Sequence, residues 1–165
     1  MIQSPENQQM ILGRFTPALN DAKPMIRAKA AETLGKLGIA ASAHDLLHLL
    51  NDPNREVRIQ VAQALGNLRN PEIIPQLSFA LADADPTVRA VTAEALGKIG
   101  DEQAINYLEN VLGDADPLVR SRAAYALGQI GTEETLLRLL NYISDPDEDV
   151  RFRIVEAIGE IGARG

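Results

Sequence analysis

The chain repeats itself every 31 residues, and no other feature limits its possible folds as tightly. Arg27, Arg58, Arg89, Arg120 and Arg151 keep this step. So do Gly35, Gly66, Gly97, Gly128 and Gly159, and Asp21, Asp52, Asp83, Asp114 and Asp145. Residues 83–113 and 114–144 agree at 15 of 31 positions without a gap. Self-similarity at a fixed step of this length marks a solenoid, in which each unit buries its apolar face only against its neighbours.

Residues 83–113 show how one unit is written. Asp85 is a good N-cap and Pro86 suits the first helical position. Val88, Thr92, Ala93, Leu96 and Ile99 then recur at a helical period, and Gly100 stops the helix where a left-handed residue is cheapest. Asp101 can cap a second helix, whose apolar stripe is Ala104, Ile105, Leu108, Val111 and Leu112. The unit is an antiparallel hairpin of two short helices. Its apolar columns carry through the chain. Leu34, Leu65, Leu96, Leu127 and Ile158 align on the first helices, with Leu46, Leu77, Leu108 and Leu139, and Leu50, Leu81, Leu112 and Ile143, on the second. Ala31, Ala62, Ala93, Ala124 and Val155 form a column of mostly small side chains, which lets helices approach closely. A mid-helix glycine costs up to about 1 kcal/mol, so the Gly35–Gly159 column calls for a close crossing by the neighbouring hairpin.

The expected organisation is a single domain over residues 1–165. A capping helix covers residues 7–20, repeats follow at 21–51, 52–82, 83–113 and 114–144, and a half repeat spans 145–165. The fold class is all-α, a right-handed α-solenoid of stacked antiparallel helical hairpins. Ile11, Leu12, Phe15, Ala18 and Leu19 fit the second-helix columns, although Pro17 should shorten or bend that helix. Unit two is irregular: Arg69 replaces the capping glycine found at Gly38, Gly100 and Gly131, and Pro75 should cost or bend something. The last helix, with Ile154, Val155, Ile158 and Ile161, is too apolar for a free end. Either the array continues or this face meets a partner, pairing of two copies through this helix being one such use.

Composition narrows function. Asp and Glu number 23 against 16 Lys and Arg, for a net charge of −7, which disfavours nucleic acid and anionic membrane surfaces as partners. There is no Cys, which removes disulfides, thiolate metal sites and a cysteine nucleophile. The polar start MIQSPENQQM does not read as a secretory signal, and no stretch approaches the ~20 apolar residues of a membrane span. A cytoplasmic location is the default expectation. The repeated Asp and Arg read as turn chemistry, a charge-assisted bond from Arg to the turn's carboxylate or carbonyls that fixes each hairpin junction and that stacking could link into a ladder along the solenoid, because one catalytic site does not need five copies.

The recurring D-P-x-V-R-x-x-A-x-x-A-L-G-x-I-G pattern resembles the short HEAT-like repeats of the phycobilisome lyase family. It is clearest at Asp85-Pro86-Thr87-Val88-Arg89, Ala95-Leu96-Gly97-Lys98-Ile99-Gly100 and Asp116-Pro117-Leu118-Val119-Arg120. The resemblance covers essentially everything after residue 7. It implies that first helices line a convex side and second helices a concave one. Members of this repeat class include bilin lyase subunits, phycobilisome assembly or degradation factors, deoxyhypusine hydroxylases and plain protein-binding scaffolds. The hydroxylases resemble this chain least, because they hold two irons with several His-Glu pairs, and here only His44 and His48 occur, neither followed by Glu.

Structural columns should be uniform and functional ones irregular. The outward positions of the second helices vary freely, and they supply the candidate partner-binding residues on the concave surface: His44, His48, Gln76, Phe79, Asn106, Tyr107, Asn110, Leu137, Arg138 and Asn141. His44 and His48 share a helix face, but a metal needs a third ligand and second-layer support, so they read as surface histidines. No catalytic constellation, metal site or cofactor is expected. The leading expectation is a non-catalytic scaffold for a protein partner. The alternative implied by the resemblance is a phycobilisome (bilin) lyase subunit, or an assembly or degradation factor, binding a tetrapyrrole or phycobiliprotein. Its propionates would then look to Arg138 or Arg14.

Overall fold

The computed structural model describes residues 4–164 and is all α-helical among them. Helix α1 (Pro5–Leu19) is followed by five long helices that begin at the D-P-type turns: α2 (Pro24–Leu37), α4 (Arg55–Leu68), α6 (Pro86–Ile99), α8 (Pro117–Ile130) and α10 (Glu148–Gly162). Between them lie α3 (Ala43–Leu47), α5 (Ile74–Ser78), α7 (Ile105–Asn110) and α9 (Glu133–Leu139). The long helices pack in sequence, α2 on α4, α4 on α6, α6 on α8 and α8 on α10. The result is an α-solenoid of stacked hairpins.

The starts of the long helices follow from local chemistry. Asp85 accepts the Thr87 and Val88 N–H groups, Asp147 those of Asp149 and Val150, and Asn54 those of Glu56 and Val57. These are the otherwise orphaned donors of a helix start. Lys23 stands at this position in the first unit and makes no side-chain cap. The second helices differ from expectation, because each is a short α segment with a 3-10 turn after it: α3, for example, runs into His48–Asn51 and α5 into Phe79–Ala82. Three of the four also begin in a 3-10 turn. The tighter winding fits a segment of about a dozen residues confined between two sharp turns, where i→i+3 bonds satisfy the ends.

Three irregularities resolve differently from the sequence reading. Helix α1 is not shortened by Pro17, which falls in its last turn, where its missing N–H forfeits one bond. Pro75 sits in the first turn of α5, where a missing N–H is harmless. Gly131 is extended (φ −67°, ψ 154°) rather than left-handed. Its need for glycine is steric, since a Cβ there would stand 2.5 Å from the Leu127 carbonyl oxygen and 2.7 Å from the Ile161 side chain. Gly38 and Gly100 do adopt the left-handed cap, and Arg69 adopts it as well at φ 50°.

The core is the expected set of columns. Leu34, Leu65, Leu96 and Leu127 are fully buried, as are Leu46, Leu77, Leu108 and Leu139. Ile143 departs from its column at 44% exposed. The glycine column is explained by geometry: a Cβ on Gly35 would lie 2.6 Å from Ala64 Cα, on Gly66 2.7 Å from Ala95 Cα, and on Gly97 2.7 Å from Ala126 Cβ. Backbone is therefore pressed against backbone at each crossing, near the short end of helix–helix distances. A Cβ on Gly159 would meet nothing within 4 Å among the described residues beyond its own helix backbone.

The same substitution should thus have opposite effects at two copies of one position. Gly97→Ala forces apart α6 and α8 and should cost about 1–3 kcal/mol. Gly159→Ala gains helix propensity at no steric cost and should stabilise by about 0.5–1 kcal/mol. Urea unfolding of the two variants decides it. Arg69→Gly, which relieves a left-handed side chain, should raise stability by up to about 1 kcal/mol in the same assay.

Candidate functional site

The second-segment face is held in place by a ladder of arginine clasps. Each arginine at the start of a long helix donates through Nη1 to the carbonyl of its own turn, as Arg89 does to Asp83 O at 2.8 Å. In the first four, Nε and Nη2 reach forward to the aspartate of the following unit, 25 residues on. Arg27 grips Asp52 at 2.7 and 2.8 Å, Arg58 grips Asp83 at 2.7 and 3.0 Å, Arg89 grips Asp114 at 2.9 Å twice, and Arg120 grips Asp145 at 2.8 and 2.9 Å. The sequence reading placed a bond to the turn's carboxylate or carbonyls at the hairpin junction, with stacking linking such groups into a ladder; the carbonyl bond is there, and the carboxylate is the next unit's. The structure extends the clasp across the unit boundary, because the planar guanidinium fork fits a carboxylate edge while its remaining arm is free for a carbonyl.

Every aspartate in the ladder also accepts the N–H two residues on, so one carboxylate closes its own turn and receives the neighbour. The Arg27 bond holds the Asp52 carboxyl below the usual carboxylate range, and the Arg120 bond does the same for Asp145. At Asp114 burial pushes the other way, but Arg89 and the Asp116 N–H outweigh it.

On this framework all ten candidate residues are solvent-exposed. The structure brings three of them together. His48, Gln76 and Phe79 line one groove of 530 Å³ between the second segments of the first two full units, with Leu47, Asn51 and Asp83 also in its wall. Phe79 is 79% exposed, an unusual position for a phenylalanine, and it is the groove's large apolar contact. Leu137, 61% exposed, lines a separate cleft of 590 Å³ with Leu136, Ile161, Gly162 and Arg164. His44, Asn106, Tyr107, Asn110, Arg138 and Asn141 line neither groove. Arg138 is already engaged by Glu109 and, at 2.6 Å, by Glu134. Its charge is spent within the protein, so it is a poor choice for an anionic ligand.

Sequence reasoning missed Asn51 as a groove residue, since it ends a short 3-10 turn and belongs to no apolar column. It also missed a groove of 760 Å³ on the first-helix side, lined by Met25, Ala28, Lys29, Glu32, Glu56 and Gln60 among others. Among the described residues no group of three or more His, Asp or Glu is placed to hold a metal ion. No helix among them is long and apolar enough to cross a membrane.

Stacked hairpins, a repeated clasp and an open, irregular face define an α-solenoid scaffold. The family model for HEAT repeats matches residues 43–115 and 108–164, and that for the PBS lyase HEAT-like repeat matches residues 26–52. The chain belongs to the HEAT repeat family. No curated protein matches it. Among solved structures it is similar to one of the complex of CpcE and CpcF of phycocyanin lyase from Nostoc sp. PCC7120, with a TM-score of 0.79 at 22% identity. That match covers 92% of this chain and 65% of the other, so the chain spans just under two thirds of that relative's length. A designed armadillo repeat protein in complex with the peptide (KR)4 matches with a TM-score of 0.67 at 21% identity, over 96% of this chain and 87% of that one. Human deoxyhypusine hydroxylase in complex with glycerol gives 0.51 at 16% identity, over 99% and 93%. At these identities the likeness is one of fold.

The ladder carries a pH signature. Asp52 and Asp145 titrate lower in the folded chain than in the unfolded one, so below the unfolded value of about 4 the unfolded chain binds more protons. Stability should hold between neutral pH and about 5, then fall as acid carries the solution through the folded values. Asp52→Asn or Asp145→Asn should lower stability at pH 7 and make the acid limb shallower, read from denaturation midpoints across pH.

Proposed function

We propose that the chain is a HEAT-like recognition scaffold that receives a protein partner on its second-segment face, with the groove at Phe79 as the anchor. One observation carries this reading: a 79% exposed phenylalanine opens into a groove on a face whose other positions mostly do not repeat, while the repeated residues inside the stack are engaged in packing or in the ladder. Exposed aromatic anchors in grooves are where binding energy concentrates. Leu137 and Tyr107 extend the exposed apolar surface along the same face, with His44, His48, Gln76, Asn106, Asn110 and Asn141 as polar surroundings.

Within this class the lyase-subunit reading is supported by the likeness to the phycocyanin lyase complex. On that reading the partner is a phycobiliprotein or a second subunit, and a tetrapyrrole would stack on Phe79 rather than pair with Arg138. Two arms of one experiment test it. Titration with a free bilin and with a bilin-free phycobiliprotein should give an absorption shift or a co-migrating complex, weakened about tenfold or more by Phe79→Ser. If neither binds, the lyase-type reading falls. Peptides selected on the wild-type protein should lose affinity for Phe79→Ser and Tyr107→Ser. If they ignore both changes, the scaffold face lies elsewhere.

A further inference from the structure

The two ends of the helical stack carry opposite halves of the contacts that join units inside it. On the α10 face, Arg151 donates only through Nη1, to the Asp145 and Pro146 carbonyls. Its Nε and Nη2, which in the four preceding arginines grip a carboxylate, have no partner among the described residues. Gly159, the fifth of the crossing glycines, faces open space. Val155 is 56% exposed where Ala31, Ala62, Ala93 and Ala124 are fully buried, and Phe152 is 63% exposed. This helix face keeps the arginine and glycine of an internal contact, carries the bulkier Val155 and Phe152 beside them, and is left uncovered among the described residues.

The α1–α2 face is the complement. Asp21 accepts the Lys23 N–H, as the ladder aspartates accept theirs, but no arginine reaches its carboxylate among the described residues. Ile26 is 37% exposed where Val57, Val88, Val119 and Val150 are buried. An apolar cleft of 370 Å³, lined by Phe15, Ala18, Ile26, Ala30 and Thr33 among others, lies open beside it. Helix α1 occupies second-segment register and α10 is a first helix, so each supplies the half of a hairpin that the other lacks.

The register agrees as well. A ladder arginine takes the aspartate 25 residues on. Counting 25 residues past Arg151 and back by five repeats of 31 arrives at Asp21. The residue pressed on each crossing glycine, as Ala64 is on Gly35, stands 29 positions later. The same count from Gly159 arrives at Thr33, a small side chain.

We propose that the α10 face of one copy docks on the α1–α2 face of a second, Arg151 of the first gripping Asp21 of the second, so that copies join head to tail as one continuous solenoid. Charge and register match, the cleft beside Ile26 offers room for the bulkier Val155 and Phe152, and both contact faces are separate from the Phe79 groove. Such a contact is heterologous, so association is open-ended unless the superhelix closes.

Sedimentation velocity over a wide concentration range tests this on the whole chain. The wild-type average mass should climb past that of a dimer. Asp21→Arg and Gly159→Leu should each remain monomeric, with association weakened about tenfold or more. An equimolar mixture of these two variants should form a 1:1 pair and stop there, because Asp21→Arg keeps an intact α10 face and Gly159→Leu an intact α1–α2 face. Helical circular dichroism checks that both variants fold, and Gly159→Leu sits at an open, helix-favouring position that should not disturb the monomer. A wild-type protein that stays monomeric overturns the proposal and leaves these faces to ends of other proteins. A dimer that ignores Asp21→Arg also overturns it, since two α10 faces would then be pairing with each other.

Discussion

The arginine clasp is the constraint on which the array depends. A helical hairpin can slide or rotate against its neighbour at small cost if only apolar side chains meet, because leucine columns are forgiving of register. A fork bonded at once to its own turn and to a carboxylate in the next unit is not forgiving. Arg89 has Asp83 O behind it and Asp114 in front, and Asp114 in turn closes the Asp116 turn. Each unit therefore fixes the position of the one after it. With the turns pinned, the crossing of α6 and α8 can be so close that only glycine fits opposite Ala126. The open second-segment face then presents its side chains at a regular spacing, whatever those side chains are.

Much of this was legible before any coordinates. A residue that must recur in every unit betrays its role by recurring, and Leu34, Gly35 and Arg27 all did. The caps at Asp85 and Asp101 followed from the chemistry of helix starts. What the sequence hid were matters of reach and backbone geometry. Linear spacing shows that Arg27 and Asp52 both repeat, but an arginine near its own turn aspartate and one near the next turn aspartate have the same period. Only the fold tells which carboxylate is within range. Gly131 illustrates a second limit: the letter is right, yet it serves close packing against Ile161 and not a left-handed cap. The 3-10 winding after α3 and α5 has no periodic signature in segments so short.

The candidate site was legible as a face and not as a groove. Irregular columns located the exposed second-segment positions, and His48, Gln76 and Phe79 do share a groove. The pairing of Arg138 with Glu109 was hidden, because a pair 29 residues apart on neighbouring units breaks the repeat and so leaves no trace in it, whereas the four-residue step to Glu134 is a helix-face pair. Variable positions can point outward to a partner or sideways to one another, and sequence variation alone looks the same in both cases.

The clasp also has a mechanical meaning. Because no bond in the ladder skips a unit, the unit interfaces stand in series, each bears the full tension on the chain, and the weakest gives way first. Pulled from its ends, a molecule of this kind should peel in steps of one hairpin, with Arg69 and its strained left-handed turn marking the weak link in the row.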